Sequence, residues 1–126
     1  MNAIEFAATH ELEILTVGSR ATCNPPPTDT DQDWLLLVED GTRYCLALNA
    51  DGWENGGSLE DPSASGCAWT SYRKGDENII ITWDLAFYQS FVLATEVAKA
   101  LNLLRKEDRI TLFQTVRANW PSGPVE

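Results

Sequence analysis

Hydrophobic and polar positions suit a short helix at the start and strands up to Trp83, and change to a helical spacing from Leu85. Asn2 to Glu11 mixes Ile4, Phe6, Ala7 and Ala8 with polar positions in a pattern that suits a short helix. Leu12 to Val17 reads as a strand running into Gly18. Ala21 to Thr28 contains Pro25, Pro26 and Pro27 in succession and reads as a rigid, non-helical loop, because proline fixes φ and lacks the N–H. Asp31 to Glu39 is a strand. Asp40-Gly41 is then expected to form a two-residue type I′ turn, with Arg43 to Leu48 as the returning strand of a hairpin.

Asn49 to Gly66 is rich in Gly, Ser, Asn, Asp and Pro and reads as a long loop of the kind used as a lid or binding loop. Ala68 to Arg73 and Asn78 to Trp83 are two further strands, separated by Lys74-Gly75-Asp76-Glu77. From Leu85 to Leu104 the helical period places Phe87, Phe91, Ala94, Ala98 and Leu101 on one face. A second helix is expected from about Glu107 to Asn119, burying Ile110, Phe113 and Val116 or Trp120, with Pro121 as its stop. The expected fold class is α+β: a mostly antiparallel or mixed sheet of about five strands, a short N-terminal helix and two C-terminal helices.

Size makes this one domain, since 126 residues bury a single core and no second one. An apolar content of 44% with five tryptophans belongs to a folded chain. No apolar run is long enough to span a bilayer, and the first ten residues carry Glu5 and lack a basic start. No membrane association and a cytoplasmic location are therefore expected. Cys23, Cys45 and Cys67 are odd in number, widely spaced and accompanied by one histidine, His10, so reduced thiols are expected rather than a zinc site.

Charge changes the picture of partners. The formal net charge is −10, from nine Lys and Arg against nineteen acids, which disfavours a long nucleic acid. A small nucleotide arriving with its magnesium is compatible with that balance, because a bound cation inverts the local charge. Strong acidity also suits a protein that imitates nucleic acid and occupies a basic site on another protein.

The candidate chemistry lies in two short segments. Gly18-Ser19-Arg20 closes the first strand, and Thr30-Asp31-Gln32-Asp33 opens the next, ahead of the apolar run Trp34 to Val38. Carboxylates at i and i+2 of a strand share one face, roughly 6–7 Å apart along the chain. Strands avoid aspartate, and two on one face repel unless a cation sits between them. Asp29-x-Asp31-x-Asp33 also matches the opening of a calcium-binding EF-hand loop, but Trp34 stands where that loop needs glycine and Asp40 where it needs glutamate.

Gly-Ser followed by Thr-Asp-x-Asp and an apolar strand resembles the polymerase-beta-like nucleotidyltransferases, particularly the small stand-alone ones. The closing half is similar to small nucleotidyltransferase-like proteins of tailed bacteriophages. The residues that carry this second likeness are Asn78 to Asp84, Phe87-Tyr88, Ala98 to Leu103, and Arg109-Ile110 with Leu112-Phe113-Gln114.

The resemblance implies a nucleoside triphosphate as ligand, ATP among the four, cradled by Gly18 and Ser19. It also implies two magnesium ions held by Asp31 and Asp33 as the catalytic carboxylates. Arg20, Arg73 and Lys74 are candidates for phosphate contact, with ordinary surface roles as the alternative. Family members place a third carboxylate on a neighbouring strand as general base. Asp76, Glu77 and Asp84 compete for that place, Asn78 stands near it, and Asp84 is also suited to cap the helix that follows.

Trp53 and Trp69 flank the long loop and are candidates either for base stacking or for core packing. Two functions follow: a magnesium-dependent nucleotidyltransferase acting on an unidentified hydroxyl, or a catalytically degenerate acidic phage protein that binds and inhibits a host protein in the host cytoplasm.

Overall fold

A computed structural model describes residues 1–25, 31–56 and 69–119. The elements in chain order are α1 (Ala3–Thr9), β1 (Leu15–Val17), α2 (Ser19–Thr22), β2 (Gln32–Leu37), α3 (Gly41–Ala50) and β3 (Glu54–Asn55). They are followed by β4 (Trp69–Lys74), β5 (Glu77–Thr82), α4 (Leu85–Leu101) and α5 (Lys106–Ala118). The five strands form one mixed sheet in the order β1-β2-β5-β4-β3. β2 and β5 run parallel, and the other three pairings are antiparallel. The α+β class, a mixed sheet of five strands, the short N-terminal helix and the two C-terminal helices are as the residue pattern predicts, although β3 falls in the stretch read as a long loop and takes the place in the count of the strand expected over Arg43 to Leu48.

Alternation along the strands sorts the core into two halves. One face of the sheet carries Leu36, Tyr72, Ile79 and Ile81 and packs against Ala3, Phe6 and Ala7 of α1 and Leu48 of α3. The other carries Val17, Leu35 and Trp69 and packs against Phe87, with Phe91 and Phe113 adding an aromatic layer. Three of the helices, α1, α3 and α4, begin on a side-chain cap. Asn2 and Glu5 form a capping box on α1, and the Asp84 carboxylate accepts from the amides of Ala86 and Phe87 at the start of α4.

The predicted hairpin at Asp40-Gly41 does not form, and Arg43 to Leu48 is not a strand. Asp40 is an N-cap: its carboxylate accepts from the Arg43 amide 3.2 Å away and starts α3. Tyr44, Cys45 and Leu48 then stand at i, i+1 and i+4, a helical spacing that carries them onto the first core. Its helix lets the chain cross over, so that β2 receives β5 in parallel instead of a returning antiparallel strand.

Smaller departures follow the same logic. Ala21 and Thr22 belong to the one-turn helix α2 rather than to a loop, with the Thr22 hydroxyl donating to the Gly18 carbonyl. The first strand is confined to Leu15–Val17, and Asn49 and Ala50 close α3. Leu101 and Ile110, expected on buried faces, are 63% and 45% exposed. Residues 26–28 of the proline loop, most of the predicted long loop, Cys67, Trp120 and Pro121 lie outside the described residues.

Candidate functional site

The site is built where four strands lie side by side. β1 ends against the start of β2, with Val17 opposite Asp33. β5 lies on the other side of β2, with Asn78 opposite Asp33, and β4 follows with Arg73 opposite Asn78. The result is one row across the sheet, Val17, Asp33, Asn78 and Arg73, on the face that carries Leu35 and the aromatic layer. Asp31 shares that face by strand alternation.

Gly18 is required where it stands. Its φ of 75° lies in the left-handed region, and a Cβ there would collide with Asp33 Oδ2. The turn and the carboxylate are therefore in van der Waals contact, which only a residue without a side chain permits. Ser19 and Arg20 follow in the first turn of α2, beside the same strand end.

The two carboxylates differ in their surroundings. Asp33 Oδ1 accepts from the Asn78 amide nitrogen at 3.2 Å. Burial pushes the Asp33 carboxyl above the usual range. The Asn78 hydrogen bond opposes that rise, the neighbouring Asp31 charge adds to it, and Arg73 and Lys106 oppose it. Asp31 is more open, and its Oδ2 pairs with Arg73 Nη2 at 2.6 Å. Two acids lie within reach of two cations, which offsets their mutual repulsion in a protein that is otherwise strongly negative.

Gly18, Asp31, Asp33, Asn78 and Arg73 are brought together; Lys74 is not. Lys74 lies on the opposite sheet face, where its Nζ donates to the carbonyls of Met1 and Asp51 and stands over the Trp53 ring. None of the three rival carboxylates joins the row. Asp76 sits in an exposed turn and offers its carbonyl to the Gln32 amide. The Glu77 carboxylate accepts from the Ala3 amide at 3.3 Å at the start of α1. Asp84 caps α4 and approaches Arg117 at 3.8 Å.

Both tryptophans are packing residues. Trp53 is buried, with its indole donating to Asp51, and Trp69 is stacked on Phe87 with centroids 5.8 Å apart. The weak influence of the Lys106 charge on Asp33 was not legible in the sequence. Its one signal is a cation in the first turn of a helix, where the backbone dipole disfavours positive charge.

Among the described residues no group of three His, Cys, Asp or Glu side chains could hold a metal. Magnesium, however, commonly takes one or two carboxylates and completes its shell with water and substrate phosphates. Asp31 and Asp33 meet that requirement as hard oxygen donors on one face, and the Asn78 amide stands beside them. A groove of about 670 Å³ lies elsewhere, beside the start of α3, lined by Asp40, Cys45, Asn55, Tyr72 and Trp83 among others. Among the described residues no helix is long and apolar enough to cross a membrane.

No protein-family model and no curated protein matches the chain. Its fold is similar to that of the conserved protein GrpB from Enterococcus faecalis, known from a crystal structure. The two share 17% identity over 92% of this chain and 87% of the other, with a TM-score of 0.50. The likeness establishes the shared fold.

Proposed function

We propose that this protein is a minimal nucleotidyltransferase-type domain that binds a nucleoside triphosphate together with magnesium. It would pass a nucleoside monophosphate to a hydroxyl acceptor and release pyrophosphate. The observation that carries the reading is the Gly18 turn pressed against Asp33, with Asp31 on the same face. Asp31 and Asp33 would hold the metal, which supplies charge neutralisation at the transferring phosphoryl group. Backbone amides of the Gly18-Ser19 turn would face the triphosphate, with Arg20 and Arg73 as its cationic contacts.

The acceptor's proton is the weak point of this machinery. Asn78 stands directly across from Asp33, where the family resemblance leads one to expect a carboxylate, and an amide takes up no proton. Transfer by the wild-type chain is accordingly expected to be slow. That same residue, with the −10 charge, supports a second reading. In it, an acidic phage-type protein keeps the fold and acts by binding a host protein, for instance at a nucleic-acid-binding surface.

The deciding experiment is a calorimetric titration with the four triphosphates and magnesium, on wild type and on Asp31→Asn/Asp33→Asn. Magnesium-dependent binding that vanishes in the double variant supports the first reading, and transfer of labelled nucleotide by Asn78→Asp would sharpen it. If no triphosphate binds, the first reading falls and capture of a host partner becomes the next step.

A further inference from the structure

Arg73 does more in this site than neutralise it. Its side chain is 57% exposed, is held by a backbone position two strands away from Asp33, and reaches Asp31 at 2.6 Å. It thus lies on one of the two carboxylates that the magnesium reading requires. An ion pair this open is weak and exchanges readily with solvent and ions. A guanidinium is also a planar, multi-donor group suited to bidentate capture of phosphate oxygens.

We infer that Arg73 is an exchangeable internal cation: it occupies Asp31 in the free protein and is displaced from it onto the triphosphate when metal and nucleotide enter. The inference rests on the proposed function, where Arg73 contacts the triphosphate, and adds to that a role in the free protein. Metal and nucleotide then compete with, and recruit, the same side chain. Magnesium alone must displace Arg73 without compensation. Magnesium with a triphosphate gives the released guanidinium a new anionic partner. The two ligands are therefore coupled through Arg73, and removing it moves their affinities in opposite directions.

The test is calorimetry with magnesium chloride alone, then with ATP and magnesium, on wild type, Arg73→Gln and Lys106→Gln. Lys106 acts on Asp33 through its charge and forms no ion pair with Asp31, so it controls for a general field effect. Arg73→Gln is expected to bind magnesium alone about two- to fivefold more tightly. It should bind ATP with magnesium roughly tenfold more weakly. Unchanged or weaker magnesium binding by Arg73→Gln overturns the exchange, as does an equal gain in Lys106→Gln or no magnesium binding by either protein. If ATP binding by wild type still depends on Asp31 and Asp33 in those cases, the exchange alone is lost. If wild type binds no triphosphate, the proposed function is lost with it.

Discussion

The two faces of the sheet solve different problems. The face under α1 and α3 is dry: Ala3, Phe6, Leu36, Leu48, Ile79 and Ile81 are all fully buried. The face under α4 and α5 relies on a few large rings, and no residue of α5 is fully buried. The row containing Asp33 opens on that second face. Stability is concentrated on one side of the sheet, and the polar cluster stands on the side where packing is looser. A carboxylate pair is easier to keep there, because full desolvation of two like charges costs more than any aromatic layer returns.

The largest expected effect lies on the dry face. Leu36→Ala or Ile79→Ala should cost about 3 to 4 kcal/mol in urea unfolding, since neither site has solvent to relax into. Phe113→Ala, a half-buried ring of the second layer, should cost about 2 kcal/mol. Equal costs would erase the contrast between the faces. Gly18→Ala should also cost about 2 kcal/mol through its left-handed backbone and its collision with Asp33, and under the proposed function it should abolish magnesium-dependent nucleotide binding. Ile110→Ala on α5 should cost less than about 0.5 kcal/mol.

The faces also differ in pH response. On the second face, the raised Asp33 carboxyl contributes stability that is full below its unfolded value and is lost as pH rises through the folded one. Asp33→Asn is therefore expected to stabilise the free protein at neutral pH, by less than about 1 kcal/mol after solvent screening. On the first face, burial alone would raise Asp51. The N-terminal ammonium, the Trp53 indole and Lys74 outweigh that and hold it below the usual range. Its contribution is present above the unfolded value and is lost as pH falls through the folded one. Urea midpoints of Asp33→Asn and Asp51→Asn across the acid range should thus diverge from wild type in opposite senses.

Much of this was legible because the signals were local. Asp31-Gln32-Asp33 ahead of an apolar run marks β2, Gly75-Asp76 separates the β4–β5 hairpin, and Phe87 to Ala98 keeps a helical period. The stretch from Asp40 to Leu48 misled because Asp-Gly suits both a type I′ turn and a helix start. Apolar side chains at five consecutive positions, Tyr44 to Leu48, show neither period cleanly. What decided it was non-local: β2 has its edge toward β5, and a returning hairpin strand would have taken that place. The Asp31–Arg73 pair and the exclusion of Lys74 were equally out of reach, since neighbouring residues 73 and 74 point to opposite faces and only the register shows which is which.

The parallel pairing of β2 with β5 bears on how the molecule is made. Gly18 and Asp33 are synthesised early and meet through the β1–β2 pairing, while Asn78 and Arg73 arrive some forty residues later along the chain. A partly synthesised chain therefore carries an acidic strand edge with neither its amide nor its guanidinium partner. Closing the sheet over that sequence distance is the slow kind of contact to form. The polar cluster is thus complete only once β5 has paired with β2, after α3 and the β4–β5 hairpin are in place.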